Sequence, residues 1–393
     1  MVSPQPFFRA RGTPFSVLHR IRALCSVGHT VDLVTYPFGE DVEIDGLNIV
    51  RAGKPPLVKD VRIGPSVAKL FLDVPMYFKT RKLLQNSPYD LIHSHEEAAF
   101  FCVGLSRKFG LPHIYDMHSS LPQQLNTLGS YNVAPIRVFF KYLEDRVLSS
   151  CDGVITICPD LAATAMPICG QTPHAMIENT ADDREVFGNL QRDVRKELNL
   201  EGKIVILYTG TFESYQGLDI LMSAMTTLIT RSPNAHLIMV GGQPEQISSY
   251  KKIAKDAGIS GHVTFTGTIS PSQIPSYQDA ADMIVSPRSS GTNSPLKLYG
   301  YMRSGRPLVA TDMYTHTQVL DKEVALLVPP TQEGLAAGMQ RLIEDPIFAA
   351  KIGAAAGCRA NEEFSDRAYI DKVTEFYEDV IEHCSNTFVS STV

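Results

Sequence analysis

Two parts of the chain hold side chains whose types and spacing could do chemistry. In "YDLIHSHEEAAF" (89–100) and "IYDMHSSLP" (114–122), apolar runs end in His93, His95 and Glu96, and in Asp116 and His118. A histidine at the end of a buried strand can work as a general acid or base, or hold a substrate hydroxyl, because its ring changes charge near neutral pH. The other reading of His118 and of His95 is a ring hydrogen-bonded to backbone. Asp116 either orients His118 or is turned to the opposite face by strand alternation. By the same alternation, His93 is expected to face a helix rather than a site. Glu178 and Asn179 stand where the strand pattern breaks, as functional groups or as a capped polar linker.

The second part is "PRSSGTNSPLKLYGYMRSGRP" (287–307). Ser294 is placed to cap a helix, Pro295 to occupy its first position, and Gly305 with Pro307 to end it. The free amides of Asn293, Ser294, Pro295 and Leu296, less the proline's missing N–H, would then form the positive end of a helix, a setting suited to an anion. Arg288 and Lys297 add charge beside it. The plainer reading is an ordinary helix–strand unit. Gly300 breaks the helical pattern on the face expected to point inward.

The elements that must position these groups read as alternating strands and helices. "TVDLVTY" (30–36), "YDLIHSH" (89–95), "PHIYDMH" (112–118) and "DGVITIC" (152–158) are short apolar runs, with helical patterns such as "FSVLHRIRALCSVG" between strands. The pattern restarts at "KIVILYTG" (203–210) and continues through "AHLIMVGG" (235–242), "HVTFTG" (262–267), "DMIVSP" (282–287), "PLVATD" (307–312) and "VALLVPP" (324–330). Two α/β domains follow, each a doubly wound parallel sheet of Rossmann type. The expected boundaries are 1–180, 181–366, a C-terminal helix at 367–384 packing back toward the first domain, and a disordered tail at 385–393. Only "MVS" precedes the first turn, so either the natural start lies further upstream or the sheet begins with a stub.

Ligands of open parallel sheets bind beyond the carboxyl ends of the strands, and two sheets facing each other would place the site in the cleft between them. "YTGTFESYQG" sets Gly210, Thr211 and Gly217 at such an end, "VGGQP" sets Gly241 and Gly242, and "HVTFTG" ends in Gly267. "RARGTPFS" (9–16) sets Gly12 and Thr13 after the first strand. Glycines there let backbone approach a ligand, and together with the expected helix they suggest a diphosphate. Neither sheet carries G-x-G-x-x-G, which argues against a dinucleotide dehydrogenase.

Composition sets the bounds. At 393 residues the chain is too long for one ordinary core. A net charge of −6 argues against a general nucleic-acid binder. Cysteines 25, 102, 151, 158, 169, 358 and 384 form no C-x-x-C pair, so reduced thiols, a cytoplasmic protein and no structural zinc are expected. No run of about 18 apolar residues suggests a membrane span, and "MVSPQPFFRARG" lacks the pattern of a signal peptide.

From the glycine loop "RGTPFSVLHRIRALCSVGHTVDLVTY" through "YDLIHSHEEAAF", "IYDMHSSLP", "IENTADDREVF", "YTGTFESYQGLDILMSAM", "LIMVGG", "HVTFTG" and "SPLKLYGYMRSGRPLVATD", the chain resembles the retaining glycosyltransferases of family 4, with the GT-B fold. The resemblance spans nearly the whole chain. It implies transfer of a sugar from a nucleotide-activated donor, bound mainly on the second domain, to an acceptor hydroxyl on the first. It also implies retained configuration and no essential metal or cofactor. By this resemblance His118 and Asp116 are catalytic and His95 and Glu96 lie on the acceptor side. Gly12, Thr13, Gly210, Thr211, Arg288, Asn293, Ser294, Pro295, Leu296 and Lys297 surround the diphosphate, and Gly241, Gly242 and Gly267 line the nucleotide's place.

The chain also departs from that family. Two glutamates usually stand at Thr292 and Gly300, and an Arg and a Lys at Thr211 and Gln216. These losses open a second reading, a non-catalytic GT-B partner of an active transferase; another GT-B enzyme, such as a nucleotide-sugar epimerase, is a third. The helix that follows the loop in "LPQQLNTLGSYNVAPIRVFFKYLEDRVLSS" is amphipathic and partly basic, so it either packs on its own domain or lies on the inner face of a membrane. The sugar, the base and the acceptor are not legible in the sequence.

Overall fold

The computed structural model describes residues 1–8, 12–56, 58, 67–123, 134–180 and 190–390. The chain forms two compact units, one of Met1–Asn179 with Tyr369–Val393 and one of Thr180–Ala368. Parts of the expected glycine loop (9–11), of the loop before the amphipathic helix (124–133) and of the expected domain join (181–189) lie outside the described residues, as does the tip of the tail (391–393).

The first unit is built on strands β1 (Val2–Ser3), β2 (Val31–Thr35), β3 (Leu47–Arg51), β4 (Ile92–His95), β5 (His113–Met117), β6 (Gly153–Thr156) and β7 (His174–Met176), all parallel, in the order β3-β2-β1-β4-β5-β6-β7. Its helices are α1 (Gly12–Ser26), α2 (Val67–Asn86), α3 (Ala99–Phe109), α4 (Ala134–Leu148) and α5 (Pro159–Cys169). The order reverses between β1 and β4, so the open end of the sheet lies where β1 leads to α1 and β4 ends in His95. β1 is a two-residue stub, with Val2 opposite Val34 and Ser94. The edge strands β3 and β7 were not expected. An edge strand is covered on fewer sides, and "LNIVR" and "HAM" accordingly lack the dense apolar run that marks a central strand.

The second unit contains α6 (Val194–Glu197), β8 (Ile204–Thr209), α7 (Leu218–Arg231), β9 (Ala235–Val240), α8 (Pro244–Asp256), β10 (Val263–Gly267), α9 (Ile274–Ala280), β11 (Met283–Ser286), α10 (Lys297–Arg303), β12 (Leu308–Thr311), α11 (Tyr314–Thr317), β13 (Leu326–Val328), α12 (Gln332–Glu344) and α13 (Pro346–Glu363). Its sheet is parallel in the order β10-β9-β8-β11-β12-β13, reversing between β8 and β11. Ile206 and Tyr208 enter one apolar cluster while Val205 and Leu207 enter the other. Both faces of β8 are therefore covered, which is why its sequence reads as unbroken apolar residues.

The last helix, α14 (Asp366–Ser390), returns to the first unit at Tyr369. Tyr369, Val373, Phe376, Tyr377 and Val380 form its buried stripe. It lies so close to β6 that a Cβ at Gly153 would fall 2.5 Å from Val380 Cγ2 and 3.0 Å from Phe376 Cζ. The helix continues through Ser390, past the expected end at 384, so residues 385–390 are helical rather than tail.

Candidate active site

At the open edge of the first sheet, β4 and β5 are in register, with His95 opposite Asp116. Residues two apart on a strand share a face. His93 and His95 therefore both turn toward Asp116, and so does His118, the residue after β5. The expectation that His93 faces a helix is corrected by this geometry, and of the two readings of Asp116 the one that sets it beside His118 holds.

Asp116 is wholly buried. Its Oδ2 accepts from Arg20 Nε at 3.0 Å and lies 3.3 Å from His93 Nε2 and 3.7 Å from His95 Nδ1. Its Oδ1 lies 3.1 Å from His118 Nε2, and that nitrogen is 3.1 Å from His95 Nδ1. His93 Nδ1 meets the Tyr377 hydroxyl, whose ring stacks on His93 with centroids 6.0 Å apart. Arg20 also lies over the Tyr369 ring, 5.2 Å from its centroid.

Burial pushes Asp116 up, but Arg20 and His118 outweigh it and hold the carboxyl well below the usual carboxylate range. Burial drops His93 to about 4. Burial, then His93, drops His95 well below the ordinary imidazole value. Burial pushes the Tyr377 phenol up. The cluster is thus an ionised carboxylate matched by one guanidinium, among rings that are neutral at His93 and His95.

Three ligand atoms of His93, His95 and Asp116 lie within 4.8 Å of one another, close enough to suggest a cation site. Asp116 Oδ2 is already engaged by Arg20, whose charge would face the cation. The donor set fits a hydrogen-bond network better than a metal cage.

Gly12 and Thr13 open α1, with Gly12 at φ +35°. Thr13 Oγ1 donates to Glu96 Oε1 at 3.2 Å, joining the two sides of the switch point. Glu178 accepts from Lys372 Nζ at 2.9 Å, and Ser16 Oγ donates to Asn179 Oδ1 at 2.5 Å. Glu178 thus anchors α14 and Asn179 anchors α1.

In the second unit, the expected capped helix is not what forms. α10 begins at Lys297, its N-cap is Leu296, and no side chain caps it. Leu298 N donates to the Pro295 carbonyl at 3.1 Å and Tyr299 N to the Leu296 carbonyl at 3.3 Å. These i→i−3 bonds make a tight turn ahead of the helix, so the regular helix starts at Lys297 and not at the expected Pro295. Ser294 is buried and its hydroxyl has no protein partner among the described residues. With only seven residues, α10 has little dipole to offer.

The side chains carry the charge instead. Lys297 is partly buried, its Nζ 3.0 Å from Gln216 Oε1 and 4.2 Å from the centroid of the Tyr208 ring. The Tyr301 ring lies 6.0 Å away. Arg288 lies over Tyr215 at 5.1 Å. Burial, and then Arg288, lowers Lys297 well below the ordinary lysine value; burial also lowers Arg288. Among the described residues neither cation pairs with a carboxylate.

The segment between β11 and α10 is pinned from below. Thr311 Oγ1 donates to the Arg288 carbonyl at 2.5 Å and Thr315 Oγ1 to the Asn293 carbonyl at 2.6 Å. His316, dropped to about 4 by burial, bridges Ser286 and Thr311. Thr211 is exposed, and its carbonyl accepts from the Tyr208 hydroxyl at 2.7 Å.

Gly210, Gly241, Gly242 and Gly267 lie on the expected strand ends, all at positive φ. At Gly241 the reason is internal: a Cβ there would sit 2.1 Å from the Gly210 carbonyl oxygen. That glycine lets two loops pack on each other. Gly300 differs. A Cβ there would meet only Gln278 Nε2, at 3.7 Å.

Arg20, Tyr377, Tyr208, Tyr215 and His316 were missed as site residues. Arg20 had a readable signal, since it lies on the buried stripe Val17, Arg20, Ile21, Leu24 of α1, where a charge needs a partner. Tyr377 had none, because its partner stands 284 positions away.

Comparison with known proteins agrees with this geometry. Residues 10–183 match the Glycosyltransferase Family 4 model, and residues 191–357 match the model of the glycosyl transferases group 1. The alpha-D-kanosaminyltransferase of Streptomyces kanamyceticus is 25% identical over 77% of this chain and 80% of its own. A phosphatidyl-myo-inositol mannosyltransferase of Mycolicibacterium smegmatis is 24% identical over 88% of this chain and 84% of its own. The solved sucrose-phosphate synthase of Thermosynechococcus elongatus superposes with a TM-score of 0.79 at 22% identity, over 97% of this chain and 99% of that one.

Proposed function

Because the chain belongs to the family 4 glycosyltransferases of the GT-B fold, and is thus a glycosyltransferase of the hexosyltransferase type, we propose that it moves a sugar from a nucleoside-diphosphate sugar to an acceptor hydroxyl with retention of configuration, in glycan or glycolipid assembly. The observation that carries this reading is the pair Lys297 and Arg288. Two cations at the switch point of the second sheet have, among the described residues, no carboxylate to match them. Burying unpaired positive charge is costly, and a diphosphate removes that cost.

In this reading the second unit holds the donor. Lys297 and Arg288 stabilise the charge that grows on the diphosphate as it leaves. They take over from the Arg and Lys that the family usually has at Thr211 and Gln216. Gln216 then serves by holding the Lys297 ammonium through its Oε1. His118 contacts the sugar or the acceptor near the anomeric carbon, and His95 and Glu96 stand on the acceptor side. The acceptor hydroxyl attacks from the face the diphosphate leaves, and no metal is required.

Isothermal titration against UDP, GDP, ADP and TDP, and then their sugar conjugates, tests the donor. One nucleotide is expected to bind with micromolar affinity, and Lys297→Ala to weaken it by at least ~10-fold. No binding to any of them by the folded protein would overturn the donor assignment. Product from the donor alone, without acceptor, would make the protein an epimerase.

A membrane-bound acceptor is supported by the first unit. Leu70, Phe71, Val74 and Phe78 form an exposed apolar face on α2, and Phe139 and Tyr142 are exposed on α4. Lys82, Arg137 and Lys141 are exposed on the same helices. Among the described residues no helix is long and apolar enough to cross a membrane, but apolar residues flanked by basic ones suit its surface. Co-sedimentation with anionic vesicles, lost in Phe71→Ser with Phe139→Ser, is the expected result. Equal recovery in the supernatant for both proteins would rule the contact out.

A further inference from the structure

The charge network beneath His118 is completed by a helix from the far end of the chain. Tyr369 and Tyr377 lie eight positions apart on the buried stripe of α14, facing Arg20 and His93 respectively. Asp116 joins these contacts to His118. We propose that Tyr377 is a positioning residue for His118, acting through His93 and Asp116 to fix which ring nitrogen of His118 carries the proton. This rests on the reading that His118 touches substrate.

The proton positions follow from the acceptors. Asp116 is ionised and can only accept. A bare imidazole lone pair 3.3 Å from a carboxylate oxygen would be repelled, so His93 presents Nε2–H to Asp116. His93 is neutral, so its Nδ1 is an acceptor, and Tyr377, which keeps its proton, donates to it. The same repulsion governs His118, whose Nε2 stands 3.1 Å from Asp116 Oδ1 and therefore carries a proton. His95 Nδ1, 3.1 Å from that nitrogen, then offers its own lone pair. His118 is thereby left with Nδ1 as an acceptor, suited to orient a hydroxyl of the donor sugar or of the acceptor.

The network depends on α14 for more than packing. Were His93 to flip to its Nδ1–H form, it would turn a lone pair on Asp116 and a donor on the Tyr377 hydroxyl. The carboxylate, already held by Arg20 through Oδ2, would then turn away from His93 and carry Oδ1 from His118, which would lose the charge that selects its tautomer. The hydrogen bond from the Tyr377 hydroxyl favours the other form and so opposes that flip. Its own place is set by the close packing of α14 on Gly153 and by stacking with His29, 6.5 Å between ring centroids.

The experiment uses the full chain labelled with 15N-histidine and the variants Tyr377→Phe, His93→Gln and His93→Leu. Long-range proton–nitrogen spectra are expected to show His118 protonated on Nε2 in the wild type and a mixture of tautomers in Tyr377→Phe. Sugar transfer should fall by about 10-fold in kcat with donor KM unchanged, a partial loss of what an oriented imidazole contributes. Glutamine can accept from Tyr377 and donate to Asp116 as His93 does, so His93→Gln should keep the wild-type tautomer and rate while His93→Leu loses both. A His118 carrying its proton on Nδ1 in the wild type would overturn the proposal. So would a Tyr377→Phe protein with unchanged spectra and kcat. Because the spectra need no turnover, a failure of the donor reading, seen as no nucleotide binding in calorimetry, is separable from a failure of this one.

Discussion

The two sheet edges treat charge in opposite ways. In the first unit, Asp116 and Arg20 are both buried and lie 3.0 Å apart, so the buried carboxylate has its positive partner in the fold. In the second, Lys297 meets Gln216 and the Tyr208 ring, Arg288 meets the Ser290 carbonyl and the Tyr215 ring, and among the described residues neither pairs with a carboxylate. A cluster that balances itself has little need of a ligand and is suited to hold a side chain in one orientation. A cluster that leaves positive charge unmatched is unstable until an anion arrives. The first edge is therefore built to position and the second to bind.

Breaking the balanced cluster should have the largest effect. Asp116→Asn leaves Arg20 buried without a counter-charge, a loss of roughly 3 kcal/mol in the unfolding of the first unit by denaturant. The pH dependence has a definite sign. Asp116 is held below its unfolded value, so its contribution is present above the ordinary carboxylate range and is lost as pH falls through the folded value. That acid-side loss should vanish in the variant. An unchanged denaturation midpoint would mean that the Arg20 pair is not what holds this edge together.

The unbalanced cluster should respond in the other direction. Lys297→Met removes an uncompensated charge from a partly buried place, so thermal stability is expected to hold or rise while nucleotide affinity drops by about 10- to 100-fold. A variant that lost stability instead would show that Lys297 serves the fold, and the contrast between the two edges would fail.

A subtler check is the pH dependence of binding. Only the ammonium form of Lys297 matches a diphosphate. Burial and Arg288 lower it well below the ordinary lysine value, so affinity should fall with rising pH before an exposed lysine would titrate. His316, already neutral, and the tyrosines Tyr208 and Tyr301, raised by burial, do not titrate in that window. Lys297→Arg should remove the dependence, because a guanidinium stays charged. A dependence that persists in Lys297→Arg would assign the proton to another group, on the protein or on the nucleotide.

What could be read from sequence follows the same division. The strands that carry each edge were legible because central parallel strands are apolar on both faces, and "KIVILYTG" announces one without its neighbours. Lys297 and Arg288 were legible as charges close in sequence to one turn. The cap read at Ser294 does not form, because a tight turn replaces the first helical turn and the segment ahead of it is held by Thr311 and Thr315, partners the local sequence does not report. The balanced cluster was half legible. His95, Asp116 and His118 stand at strand ends, but Arg20 and Tyr377 come from a helix near the start and one near the end, and no local pattern reports a partner that far away.

Two glycines give the smallest and sharpest test. At Gly153 an added methyl meets Val380 at 2.5 Å, so Gly153→Ala should cost about 1–3 kcal/mol by forcing α14 outward. At Gly300 the nearest atom is the end of the Gln278 side chain at 3.7 Å, an ordinary contact, and no positive φ is needed. Gly300→Ala should therefore gain up to about 1 kcal/mol, since alanine is the better helix former and loses less freedom on folding. Nucleotide affinity then tests the space left at Gly300, where the resemblance to the family places a glutamate. If nucleotide affinity is unchanged in Gly300→Ala, the space is unused by the donor and the base is held elsewhere. If affinity falls while stability rises, some part of the donor fills the place of the missing side chain, and the unmatched cations at Lys297 and Arg288 are then the reason a donor without that carboxylate grip still binds.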